Sequence, residues 1–271
     1  MVSCVVVSGV SCPSPTPRAP SPKHTQQSIA CVPLSRHPSP VIPLRDDNPS
    51  SIKPVVTIAF VVACVFVFLW QFSLGPVRGQ QAIFALGVIP SVLFGQRELP
   101  PDLAIVPPFV TMLTSMFMHG GWMHLIGNML YLWIFGDNVE DSMGHARFVV
   151  FYILCGLAAV FAQALPEPSS TIPMVGASGA ISGVLGAYLL LYPHARVLVL
   201  IPFGFILHTV RIPAGIVLLL WFGLQLFSQL ATPAGQGGVA FRAHIGGFIA
   251  GMLLVPFFKQ KRFALRPPWG R

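Results

Sequence analysis

Six stretches of the chain are apolar for sixteen residues or more with almost no charge: 54–74, 119–138, 147–165, 178–193, 213–231 and 242–258. Each approaches the roughly 20 residues that carry a helix across a ~30 Å hydrocarbon core. Between the first two, 82–95 (AIFALGVIPSVLFG) and 101–117 are apolar but broken by Gly and Pro. They predict one long loop with short helices at the interface. The run VLVLIPFGFIL at 197–207 is 11 residues long, too short for a comfortable span; counting such runs as spans gives an eight-span alternative. Residues 1–53 contain ten prolines and many serines without a sustained apolar period. That composition predicts a disordered tail. Its short apolar run near Val5 is too short for a span and lacks the basic lead of a signal peptide. The expected organisation is a tail at 1–53, a membrane domain at 54–258 and a basic cytoplasmic tail at 259–271.

Composition fixes the solvent. The 271 residues are 54% hydrophobic and 9% charged, against about 25% charged in a soluble domain, and the mean hydropathy is +0.73. The predicted fold class is therefore all-α, a polytopic membrane bundle of six transmembrane helices. Charge placement tests the count. With both termini cytoplasmic, 13 of the 16 Lys and Arg fall inside and only Arg78, Arg97 and Arg242 outside, as the positive-inside tendency requires. The net charge of +8 is then topology, with some attraction to anionic lipid, and needs no nucleic-acid partner. Cys4, Cys12 and Cys31 lie in the tail, Cys64 and Cys155 in apolar segments; no spacing suggests a metal site or a disulfide framework.

Polar groups at membrane depth are costly and each asks for a reason. GASGAISGVLGA (176–187) places Gly176, Gly179, Gly183 and Gly186 on one face of a helix, a surface made for close packing, and carries Ser178 and Ser182. RAHIGGFIAG (242–251) repeats the device with Ala243, Gly247 and Gly251 beside His244. Two such stripes can approach until the imidazole reaches the Ser178 hydroxyl; alternatively, His244 merely bonds a carbonyl in the bundle. In MHGGWMHLIGNML, His124 and Asn128 are four apart on one helical face, with His119 at its start. Their N–H groups can hold an oxyanion or serve as interhelical glue. A metal reading finds no H-E-x-x-H and no carboxylate or cysteine ligand nearby. Asp137, Glu140 and Asp141 follow the second span, Glu167 lies in an outer loop, and none is placed to orient His244 at depth. A Ser-His dyad remains rather than a triad. The fourth span, from Ser178 to Tyr192, is ~22 Å long at 1.5 Å per residue. Its N-terminus then lies below the outer surface, with the Ser178 N–H and the helix dipole available to an oxyanion.

These motifs together resemble the rhomboid family of intramembrane serine proteases. GASGA looks like the family's G-x-S-G motif, AHIGGFIAG like A-H-x-x-G, and HGGWMHLIGNM like H-x-x-x-x-H-x-x-x-N. GDNVEDSMGHARFVVFYILCG resembles its structural G-x-x-x-E-x-x-x-G-x-x-x-F-x-x-x-Y-x-x-G segment, and order and spacing agree over roughly 41–258. The resemblance implies Ser178 as nucleophile and His244 as general base. His124, Asn128 and the Ser178 N–H would bind the oxyanion, and Gly176 would leave room beside the serine. His119 would be structural or line a water path, and Glu140 and Arg147 would tie down the loop between the second and third spans. Substrates would be transmembrane proteins cut near the outer face of the bilayer, with no cofactor or metal. The first loop departs from the Trp-Arg of some members (here PPFVTMLT), and Ser182 stands where some carry an aromatic stacked on the histidine. A catalytically inactive relative that binds membrane segments is the alternative; a small transporter would be expected to show internal repeats, and no second GASGA or HGGW occurs. Six spans suggest a bacterial inner-membrane member, with an organellar one as the alternative. VIPLRDDNP resembles the start of bacterial members, and Val41 is where a GUG start codon would read as valine, so 1–40 are expected to be dispensable, and on the stronger reading untranslated.

Overall fold

The computed structural model describes residues 5–6, 42–203, 206–231 and 239–266. Helix α1 (Val55–Ser73) leads into α2 (Gly75–Leu86), then into the single turns α3 (Pro90–Leu93) and α4 (Thr111–Thr114) with a 3-10 turn at Pro108–Val110 between them. The long helices α5 (Trp122–Met143), α6 (His145–Ala164), α7 (Ser178–Leu191), α8 (Ala214–Ala231) and α9 (Phe241–Phe258) follow. Strand β1 (Val5–Val6) pairs antiparallel with β3 (Met174–Val175). Strand β2 (Ile42–Asp46) pairs with β4 (Arg196–Phe203), and β4 with β5 (Ile206–Pro213).

A long helix occupies each of the six apolar segments. Four of them, α1, α6, α8 and α9, are long and apolar enough to cross a membrane. The protein is a polytopic helical membrane bundle. Helix α5 is longer, at 22 residues, but its last two turns carry Asp137, Glu140 and Asp141. Helix α7 has only 14 residues and reaches ~21 Å. It is the centre of the bundle, with every residue but Leu190 buried. The loop between α1 and α5 carries short helices as the broken apolar pattern predicts. Its longest, α2, departs from α1 at Gly75, whose φ of +77° turns the chain in a conformation other residues resist, and Pro76 suits the first turn that follows.

The structure corrects the boundary at residue 53. Residues 42–53 belong to the fold: β2 joins β4, Asn48 bonds Asn138, and the Ser51 N–H and hydroxyl donate to the Asp141 carboxylate at 2.6 and 2.7 Å. Composition averaged over the tail hid this, because the partners of IPLRD lie about 150 residues away. Of the run 197–207, residues 197–203 lie in β4 and 206–207 in β5, in keeping with a run too short for a span; Val197 and Val199 suit a pleated surface. The C-terminal tail folds back under the bundle in part: the Gln260 and Arg266 N–H groups donate to the carbonyls of Ser142 and Leu190, each at 2.7 Å. Of residues 1–40, all but Val5–Val6 lie outside the described residues.

At this same end Glu140 caps α1. Its carboxylate accepts the Val56 and Thr57 N–H groups at 2.9 and 2.8 Å and the Thr57 hydroxyl at 2.7 Å, which satisfies donors the first turn leaves unpaired. His145 Nδ1 lies 2.6 Å from it. Arg147 lies exposed on the first turn of α6, and His145, which directly follows the turn at Gly144, is the residue whose ring meets Glu140. Beside them the Tyr188 hydroxyl and the Asn138 amide donate to Asp46. Burial pushes the Asp46 carboxyl up to about 6, against the Tyr188 bond and with help from Asp137 and Asp47.

Candidate active site

The opposite end of the bundle gathers the polar residues singled out above. Helix α7 begins at Ser178 because the preceding backbone cannot be helical: Gly176 has φ +130°, and its N–H donates to the Ser115 carbonyl at 2.8 Å. Val88 and Met174 exchange backbone hydrogen bonds just upstream, at 3.0 and 2.7 Å. The loop before α5 thus holds the entry to α7 from outside.

Helix α9 then lies against α7 at backbone distance. A Cβ on Gly247 would collide with the Gly179 carbonyl, one on Gly251 with the Gly183 carbonyl, and one on Gly186 with the Phe248 carbonyl. Gly179 itself leaves room for Ala159 of α6. This seam brings His244, one turn above Gly247, to the first residue of α7. The Ser178 Oγ is 2.9 Å from His244 Nε2, and both side chains are fully buried. Ser182, one turn on, donates to the Ser178 carbonyl at 2.6 Å, so it serves its own helix and does not reach toward the imidazole.

The other face of the imidazole meets α8. Gln225 Oε1 lies 2.8 Å from His244 Nδ1, and the Trp221 ring lies 5.9 Å from the imidazole at a tilt of 37°. Neither residue emerged from the sequence. The signal was faint: Gln225 is one of two glutamines, with Gln229, in the apolar segment 213–231, and an uncharged amide there carries no mark that separates a partner of His244 from an ordinary polar residue.

His124 and Asn128 are both buried on α5. The Gly120 N–H donates to His124 Nδ1 at 3.2 Å, which leaves the proton of the neutral ring on Nε2. His124 Nε2 and both polar atoms of the Asn128 amide find no partner among the described residues. Buried, unpaired polar atoms cost about 1–3 kcal/mol each, so three in one cluster call for a function. His119 is held differently. Its Nδ1 faces the Phe117 carbonyl at 3.1 Å, its own carbonyl accepts from Gln71 at 2.8 Å, and its ring meets that of His124 edge-on at 5.1 Å. With Nδ1 protonated, His119 Nε2 is an acceptor, also without a partner among the described residues.

The described residues thus set a hydroxyl on an imidazole nitrogen at the N-terminus of a buried helix, an arrangement in which the imidazole can take the hydroxyl proton. The chain belongs to the rhomboid family: residues 108–261 match the Rhomboid domain. It is 30% identical over 181 residues to the mitochondrial Rhomboid protein 1 of Saccharomyces cerevisiae, covering 64% of this chain and 49% of that one. It is 30% identical over 202 residues to the Rhomboid protease GluP of Bacillus subtilis, covering 74% and 35% respectively. RHOMBOID-like protein 5 of Arabidopsis thaliana is 28% identical over 159 residues, or 59% and 45%. The chain thus spans a third to a half of the length of these curated relatives.

Proposed function

We propose that this protein is an intramembrane serine endopeptidase that cuts transmembrane segments of other membrane proteins by a Ser178–His244 dyad. The observation that carries the reading is the 2.9 Å approach of Ser178 Oγ to His244 Nε2 between two fully buried side chains. His244 takes the hydroxyl proton as Ser178 attacks the scissile carbonyl. The developing oxyanion draws on the Ser178 N–H, His124 Nε2–H and the Asn128 amide, a role that gives their unpaired atoms a purpose. His244 then returns the proton to the leaving amine, and water releases the acyl group. The histidines at 119 and 124 and the amide at 128 form the polar lining along which water would enter, and Gly176 and Gly179 keep the nucleophile's surroundings small.

Because α7 spans only ~21 Å of a ~30 Å core, its N-terminal serine lies below one surface, and the proposed cut falls near the outer face. Both termini are cytoplasmic in this reading. Relatives include bacterial and mitochondrial proteins; the positive-inside count supports a bacterial inner membrane in this reading. The test is cleavage of a fluorogenic transmembrane peptide in liposomes by the full chain, with Ser178→Ala beside it. Cleavage by the parent alone is expected. A parent that binds such peptides without cutting them would overturn the assignment.

A further inference from the structure

We propose that Gln225 is a positioning residue for catalysis, making Ser178, His244 and Gln225 a three-membered relay whose third member is a neutral amide. The proposal rests on the dyad reading above. For His244 to accept the Ser178 proton, Nε2 must offer a lone pair, so the proton of the neutral ring must sit on Nδ1. In a buried site that N–H needs an acceptor. Gln225 Oε1 supplies it at 2.8 Å, which selects the productive tautomer and fixes the ring plane. When Nε2 takes up the serine proton, the same carbonyl dipole faces the new positive charge.

The placement of Gln225 is built into α8. The buried positions of that helix are Ala214, Gly215, Val217, Leu218, Trp221 and Gln225, a stripe at helical spacing. Gln225 occupies the next step of a stripe that is otherwise apolar, one turn beyond the Trp221 ring beside His244. A leucine would satisfy packing there. An amide at that position is costly unless its oxygen is used. The usual third member, a carboxylate, would carry a charge into the membrane interior at far greater cost; the amide orients without charge, as asparagine does in cysteine proteases of the Cys-His-Asn type. Among the described residues, α5 carries His124 and His119 lies just before it, α7 presents Ser178, and the outer end of α9 and the loop after α6 present Arg242 and Glu167, which pair with each other at 2.7 Å.

The experiment uses the full chain in liposomes with the fluorogenic transmembrane peptide, and fluorophosphonate labelling of Ser178 as a second readout. Gln225→Met keeps length and apolarity but removes the acceptor. Its kcat is expected to fall about 10²-fold, the cost of a misplaced catalytic group, with KM within about twofold and labelling slowed in step. Gln225→Glu keeps an acceptor and adds charge. It should recover most of the lost kcat, and the acid limb of its pH–rate profile should move to higher pH by about one unit, because the anion favours imidazolium. A residue that only filled space would give equal losses in both variants and an unshifted profile; that result overturns the proposal. So does a methionine variant with more than a third of the parental kcat while Ser178→Ala is silent. Activity surviving in Ser178→Ala would instead overturn the dyad reading itself.

Discussion

Gly247→Ala tests whether the glycine seam, rather than the chemical identity of the dyad alone, sets catalysis. A Cβ on Gly247 falls more than 1 Å inside ordinary contact with the Gly179 carbonyl oxygen, and the obstacle is backbone, which cannot rotate away. The helices must therefore part by over 1 Å at a point one turn from His244 and one residue from Ser178. The Ser178–His244 distance of 2.9 Å would open to about 4 Å, beyond hydrogen-bond reach. Misplacement of about 1 Å costs on the order of 10² in rate, and overpacking of this kind destabilises by roughly 1–3 kcal/mol. The assay is peptide cleavage in liposomes together with a thermal melt in detergent. Gly223→Ala on α8 is the control, because a Cβ there meets nothing within 4 Å; it should leave both readouts at parental values. A Gly247→Ala protein with kcat within twofold of the parent would refute the claim that backbone contact between α7 and α9 is needed.

Other consequences can be measured on the same samples. His244→Ala should be as inactive as Ser178→Ala, and the double variant no worse than either, because the two act as a unit; additive losses would indicate separate roles. Asn128→Ala and His124→Ala should each lower kcat by roughly 10–10³, and unchanged rates in both would return them to interhelical glue. Asp46→Asn should raise the melting temperature at neutral pH. Asp46 holds its proton more tightly folded, near 6, than its ordinary 3.8, so the parent loses stability as pH rises from about 4 to about 6 and carries the full cost above it; the gain from Asn should vanish near pH 4, and a gain that persists there would contradict this origin.

The sequence disclosed what repeats locally. Apolar length marked the six long helices, and glycines at helical spacing marked the faces of α7 and α9. Polar residues at depth marked Ser178, His244, His124 and Asn128, and the structure sets the first two within hydrogen-bond distance. What it concealed depends on distant partners. Residues 42–53 read as tail because Ile42–Asp46 is too short to show a period, and its ladder partner β4 is remote. Gln225 carries no local sign in the sequence, because its reason for burial lies 19 positions later at His244. The contact of His145 with Glu140 was equally hidden, because spacing alone does not tell His145 from its neighbours.

The two ends of α7 account for how so short a helix can serve as a platform. At its C-terminal end the Tyr188 hydroxyl is bonded to Asp46 of β2, and the carbonyl of Leu190 accepts from Arg266, so the chain segments before α1 and after α9 both hold it in place. At its N-terminal end Gly176 is tied to Ser115 and Ser178 to His244. Between these anchors the glycines forbid any intervening side chain, which leaves α7 no room to slide against α9. A helix that spanned the whole core would put its first residue at the surface, where water competes for every hydrogen bond. In the proposed reading, a 14-residue helix pinned at both ends puts Ser178 beneath that surface, where electrostatic interactions are stronger. The lowered dielectric makes a buried charge expensive. That expense is the physical reason the proposed relay is assembled from a hydroxyl, an imidazole and an amide rather than a carboxylate.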